Sequence, residues 1–375
     1  MKIKEAKSFK IFLIFFGISS CLPLVQNVFH PLIINGLDGA VLQEKPPVFD
    51  IENWSSSRFQ QNSVKYIKEN TAFRPDFIRI SNQLDYWFFN EINTILTLGK
   101  ENYIFDPNYI IARKGADYLS SEKRISKAKT IEKVGSFLDS LNIPILYCIA
   151  PNKANFYSDF LPKNTPLSEQ RNQLFYEYFF KEKELSYINF DTYLYEQKTN
   201  FEYPLIPKYG AHWSIFGAYV SVKEIINSIN TLVEKSHIKI VEEEFEISDK
   251  TKFTDADYLR SLNLIKAWQS PEMCYPKLKY EVDNKPNVLI VSDSFFWTFY
   301  DIEMVQNCFS KSSEMWYYNK SKHNILREKI GDIENKIALN DIKERDIIIV
   351  LSSTPGLKDF GYGFLEQLAD LSESK

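Results

Sequence analysis

Ser294 closes the stretch VLIVSDS, where four apolar residues, Val288 to Val291, run into Ser292-Asp293-Ser294. A helix-like aromatic continuation, FFWTFYD, follows as far as Asp301. A serine at a strand-to-helix junction exposes its hydroxyl and holds its backbone N–H near a helix N-terminus. That placement suits covalent attack with stabilisation of the developing oxyanion, a task to which the N–H of Phe295 also falls. The same triplet suits a plain helix cap, because Ser and Asp side chains accept from first-turn N–H groups. Asp293 is assigned to the turn, since neighbouring side chains at a turn point apart. No glycine flanks either serine at the spacing of a G-x-S-x-G elbow.

A serine nucleophile needs a base, and the chain has four histidines. His30 adjoins an apolar N-terminal run, and His237 and His323 lie among charged residues. His212 lies in YGAHWSIFGAY, directly before a strongly patterned helix, with Trp213 beside it and Ser214 placed to cap that helix. It is the candidate base for Ser294. Tyr209 and Trp213, on either side of it, are candidate substrate contacts. No H-x-x-x-H pair or carboxylate–histidine cluster occurs, so no metal or cofactor is expected.

These residues need elements to position them. IPILYCIAP (143–151), LSYINFD (185–191), residues 287–291 and DIIIVLSS (346–353) read as buried strands. They alternate with helical patterns at 121–141, 168–184, 214–235 and 364–371, which predicts a parallel sheet. In such a sheet, ligands gather beyond the carboxyl ends of the strands. Asn152-Lys153, Asp191-Thr192, Ser292-Asp293-Ser294 and Ser352-Ser353-Thr354 follow the four strands and are expected on one edge. There Asn152 is a candidate oxyanion donor and Lys153 a candidate contact for an anionic substrate. The rival reading is an ordinary polar loop. Upstream, LGKENYIFD (98–106) reads as a hairpin and residues 57–89 as helix. Residues 239–280 are less regular, carry the acidic VEEEFE and read as an insertion within 238–282.

The composition sets outer bounds. With 375 residues, 44% of them hydrophobic, and a net charge of −4, a large core is available. Nucleic acid is not an expected partner, because no basic stripe is present. The 29 Phe and 22 Tyr read either as core or as a surface on which sugar rings stack. The cysteines fit no zinc motif and form no disulfide framework. Four lysines up to Lys10 precede an uncharged run from Ile11 to Phe29, nearly long enough to span a bilayer core. The charge asymmetry predicts an inner-membrane anchor with the N-terminus inside and the bulk in the periplasm or outside the cell; a cleaved signal is the rival. Residues 1–30 are thus read as anchor, 31–96 as linker and helical arm, with the linker at Gln43–Ser57, and 97–375 as the α/β/α domain.

Several blocks recur in an order that resembles a known family. FRPDFIRISNQLDYWFF, LGKENYIFD, IAPNKANFY, HWSIFGA, VSDSFFW and FGYGF are similar to blocks of the SGNH-hydrolase-like proteins of the alginate O-acetyltransferase type, the DHHW family. The resemblance spans Phe73 to Phe364. It implies a three-layer α/β/α, flavodoxin-like domain that moves acetyl groups onto an exported polysaccharide from a membrane partner. It also implies a Ser-His-Asp triad with the aspartate two residues before the histidine. Here that position is Gly210, and Ser292 stands where the family has glycine. Asp191, at a strand end, is the leading candidate to orient His212, with a backbone carbonyl next. An acetylesterase and a non-catalytic polysaccharide-binding protein are the alternative readings.

Overall fold

The structure, a computed structural model, describes residues 2–30, 32–39, 46–333 and 337–373. Residues 43–45 of the expected linker therefore lie outside the described residues. The chain divides into two compact units, one of residues 1–94 and 259–268, the other of 95–258 and 269–375.

The first unit opens with helix α1 (Lys2–Phe29), whose segment Phe9–Phe29 is long and apolar enough to cross a membrane and is almost wholly unburied. Helices α2 (Arg58–Asn70) and α3 (Arg74–Phe89) follow. The single helical pattern expected over 57–89 is thus broken at Thr71–Phe73, where Phe73 takes a left-handed φ of 63° and Pro75 starts the next helix. The 259–268 segment is tied to α3. Asn82 donates to the Leu262 carbonyl at 2.8 Å, Gln83 accepts from the Lys266 N–H at 2.7 Å, and the rings of Tyr86 and Trp268 meet at 5.1 Å.

The second unit is built on a seven-stranded sheet. Its strands are β1 (Ile145–Ala150), β2 (Tyr187–Asn189), β5 (Val288–Ser292), β6 (Glu314–Tyr317), β7 (Ser321–His323), β8 (Lys329–Asp332) and β9 (Ile347–Ser353). They lie in the order β8-β7-β6-β5-β9-β1-β2, with the five from β6 to β2 parallel. A near-continuous apolar run is what a strand covered on both faces requires. On one face, Leu146, Cys148, Ile290 and Ile349 pack with α6 (Phe190–Gln197) and α7 (Ile215–Leu232). On the other, Tyr147, Ile149, Val291 and Val350 pack with α4 (Ser121–Asp139), α5 (Asn172–Glu182) and α8 (Phe364–Glu373). This is the expected three-layer α/β/α arrangement. Its strand order departs from the flavodoxin pattern 2-1-3-4-5. The five parallel strands run 2-1-5-3-4, so the last to be made, β9, fills the centre.

One further sequence expectation changes. Residues 239–280 are regular: β3 (His237–Ser248) and β4 (Met273–Asp283) pair antiparallel as a long hairpin, and its tip holds a short helix at Asp257–Ser261. Most of β3 is exposed, so its acidic residues stand in solvent and give no burial pattern to read. The hairpin expected at 98–106 is present, pairing Thr97–Leu98 with Ile104–Phe105.

The register fixes where chemistry can occur. Ala150 pairs with Ser353, Ser292 with Leu351 and with Tyr317, and Asn189 with Ile149. Parallel strands in this register end together, and Asn152, Asp191, Ser294, Tyr318 and Thr354 all fall just beyond them on one edge.

Candidate active site

Asp293 builds the turn that carries Ser294. The strand ends at Ser292, and a 3₁₀ turn starts at Ser294 with Asp293 as its cap. One carboxylate oxygen of Asp293 accepts the N–H of Phe295 at 3.0 Å; the other accepts the Ser353 N–H and the Tyr362 hydroxyl, both at 2.7 Å. This buried carboxylate ties the serine turn to the end of β9 and to the FGYGF loop. In that loop Gly361, Tyr362 and Gly363 all have positive φ, at 80°, 56° and 82°. Glycine adopts such φ freely, whereas Tyr362 is held there against its preference.

His212 meets Ser294 with its outer nitrogen. Nε2 lies 2.8 Å from Ser294 Oγ. The imidazole rests edge-on against the Phe295 ring at 4.9 Å, and Ser214 caps α7 through the Gly217 N–H, which anchors the loop behind it. On the inner side, Nδ1 lies 3.6 Å from Oδ2 of Asp257. The other oxygen of Asp257 accepts the N–H groups of Ala211 and Tyr258, each at 2.8 Å. Asp257 is therefore fixed by the backbone next to His212 and turns its free oxygen to the imidazole. At 3.6 Å the two groups face each other without a hydrogen bond, and Nδ1 has no other hydrogen-bond partner among the described residues.

The carboxylate that faces the imidazole is Asp257, then, and Asp191 does not fill that role here. Asp191 is buried, and its oxygens accept from the Asn152 N–H at 2.6 Å and from Asn155 Nδ2 at 2.8 Å. Burial raises its pKa, against which the bonds from Asn152 and Asn155 act. Gly210 explains why no aspartate stands two residues before the histidine. A Cβ there would lie 2.5 Å from the Thr254 carbonyl oxygen and 2.7 Å from Pro207 Cγ. The segment leading to Asp257 occupies the space an aspartate at 210 would need. Gly210→Asp is accordingly expected to lose stability by about 1–3 kcal/mol through overpacking, and to lose activity rather than gain it. Thermal unfolding beside the parent measures this, and an equal midpoint with higher activity would refute it.

Other candidates land elsewhere. Asn152 caps the turn after β1 by accepting from the Ala154 and Asn155 N–H groups, and it donates to the Tyr109 carbonyl, so it is occupied structurally. The Phe295 N–H is held by Asp293. Trp213 is fully buried against Phe190, Phe295 and Phe299, and Tyr209 is also buried, so neither offers a surface to substrate. Lys153 is buried too. Its Nζ donates to the carbonyls of Lys208 and Gly210, both at 2.8 Å, and so braces the strand of chain that leads to His212.

Sequence reading also missed Tyr318. It follows β6 in a left-handed conformation, φ 49°, fixed by its N–H on the Ser292 carbonyl at 2.8 Å. Its phenol lies near Ser294, whose hydroxyl and N–H act on it as donors. Burial, with Asp293, raises its pKa to about 12, and those contacts with Ser294 oppose the rise. A neutral phenol beside Ser294 can donate to an oxyanion formed there. The only sequence signal was a tyrosine pair after a short strand.

Nothing among family models or curated proteins matches the chain. Solved structures similar to it include the following three. The O-acetyltransferase domain of Pseudomonas putida AlgJ has 13% identity and a TM-score of 0.47, over 75% of this chain and 99% of that one. Bacillus cereus PatB1 has 13% identity and a TM-score of 0.46, over 66% and 94%. Pseudomonas aeruginosa AlgX has 13% identity and a TM-score of 0.45, over 74% and 67%.

Proposed function

We propose that this chain is an O-acetyltransferase working through an acetyl-Ser294 intermediate, with a hydroxyl of an exported polysaccharide as acceptor. One observation carries the reading: Ser294 Oγ, His212 and Asp257 lie in line at 2.8 Å and 3.6 Å. His212 Nε2 takes the Oγ proton as Oγ bonds to the acetyl carbonyl carbon. Asp257 fixes the tautomer, leaving Nε2 free to accept, and stabilises the imidazolium. The Tyr318 hydroxyl and the Ser294 N–H face the carbonyl oxygen as it becomes negative. The tetrahedral adduct then collapses, and the His212 proton leaves on the donor's oxygen. In the second half, a sugar hydroxyl gives its proton to His212 and attacks the acetyl carbon, and Oγ departs with that proton.

A cleft of about 410 Å³ beside Ile215 suits the acceptor. Tyr275, Phe253 and the side chains of Lys252 and Asp301 line it, a mixture of ring faces and polar groups that fits a sugar. The cleft is lined from Ile215, three residues beyond His212, and from Asp301, whose pKa burial raises. The acetyl group and the polysaccharide rest on the sequence resemblance. Helix α1, with lysines ahead of its apolar segment, supports an anchored protein whose bulk is exported and whose acetyl donor comes from a membrane partner.

The test is covalent. The full chain in detergent is mixed with p-nitrophenyl acetate, quenched in acid and digested. An acetyl group is expected on the Ser294 peptide, absent from Ser294→Ala, and chased off faster by an oligosaccharide than by water alone. Equal labelling of parent and Ser294→Ala would sink the proposal; a chase indifferent to the sugar would make it an esterase.

A further inference from the structure

On the same sheet edge, beside β2, lies a pocket of about 300 Å³ that the acyl-transfer reading does not use. Arg113 and Arg171 line it, with Ser158, Thr192, Gln173 and the buried Asp191. Neither guanidinium has an ion-pair partner within 4.0 Å among the described residues. Arg113 donates from Nε to the Thr165 carbonyl at 3.3 Å and from one terminal nitrogen to Asn155 Oδ1 at 3.2 Å, which leaves its other terminal nitrogen unspent. Arg171 is barer: its Nε is buried and has no hydrogen-bond partner among the described residues. Buried N–H groups are almost always paired, so an unpaired one beside a cavity marks a missing acceptor.

We infer that this pocket binds a phosphate group. Two arginine forks and the hydroxyls of Ser158 and Thr192 supply donors from several directions, which suits a tetrahedral oxyanion with acceptors all round. Helix α5 begins at Asn172, and its first-turn N–H groups at Gln173 and Leu174 lie outside the intrahelical ladder at the pocket wall. Asp191 opposes an anion, but its oxygens are already bonded to the N–H groups of Asn152 and Asn155. The count at the pocket is two cations against that one carboxylate, with Glu177 and Asp159 acting at longer range. Burial holds both guanidinium pKa values below their usual range, and at Arg113 the charge of Arg171 adds to the effect, a tension that a bound anion relieves.

Calorimetric titration of the full chain in detergent with inorganic phosphate, at fixed ionic strength, tests the inference. Saturable one-to-one binding is expected, weakened about tenfold or more in Arg171→Gln and in Arg113→Gln. Arg171→Lys, which keeps the charge and loses the fork, should fall between. Circular dichroism confirms that the variants are folded. Ser294→Ala should bind phosphate like the parent, so this result stands or falls apart from acyl transfer. Glycerol 3-phosphate run in parallel distinguishes the source. Tighter binding of the ester points to a phosphomonoester of a larger molecule, and tighter binding of the free ion to phosphate itself. Absence of saturable heat, unchanged affinity in an Arg113→Gln/Arg171→Gln double variant, or binding of glucuronate without phosphate would overturn it.

Discussion

Asp257→Asn is expected to slow acetylation of Ser294 by about 10⁴-fold, the scale on which a serine–histidine pair suffers when its imidazole is held in the wrong tautomer. An asparagine at 257 can keep its side-chain oxygen on the Ala211 and Tyr258 N–H groups. Its amide NH₂ then faces Nδ1, which stabilises the tautomer with hydrogen on Nε2 and blocks that nitrogen from taking the Ser294 proton. The fold should survive, because the backbone contacts survive. Asp191→Asn differs in kind. It places an amide where the Asn152 N–H and Asn155 Nδ2 both need an acceptor, so it should lower thermal stability while sparing the acylation step. Single-turnover acetylation and thermal unfolding, measured on both variants, separate the two roles. An Asp257→Asn protein acetylated as fast as the parent would remove Asp257 from the mechanism.

The second expected result is a stability that climbs with pH above neutrality and loses its climb in Lys153→Met. Burial lowers the Lys153 pKa from 10.5 to about 7, with the charge of Asp257 opposing. The unfolded chain therefore binds more protons than the folded one between about pH 7 and pH 10.5, and unfolding free energy rises with pH across that window. Below pH 7 both states are charged, and the folded state carries the full penalty of a buried ammonium. The slope from this one group is at most about 1.4 kcal/mol per pH unit. Neutral Lys153 still has two N–H groups, enough for the Lys208 and Gly210 carbonyls. Lys153→Met removes both donors from the loop that ends at His212, so acylation should slow as well. Urea unfolding at pH 7, 8 and 9 reads the difference between parent and variant. Parallel lines would show that Lys153 does not titrate in this range.

Four of the sheet's seven strands and half of the candidate site are legible in the residues alone. Strands covered on both faces must be apolar throughout, so β1, β5 and β9 announce themselves, and polar residues after each run must share the carboxyl edge. His212 and Ser294 were found on that logic, one before a helix and one after a strand. Strands β6, β7 and β8 went unread because three or four residues are too few to show a period. Which carboxylate faces His212 is set by the tertiary fold alone. Asp257 is 45 positions beyond His212 at the tip of an exposed hairpin, and no spacing rule links them; the hairpin's pairing brings it home. Asp191 ends the expected strand on the expected edge, yet its carboxylate went to the amides of Asn152 and Asn155, the donors nearest to hand. Lys153 read as a surface contact because lysine is almost never buried. Two carbonyls converging on its nitrogen make that burial tolerable, and carbonyl directions are fixed only when the loop from Lys208 to Gly210 has folded over it.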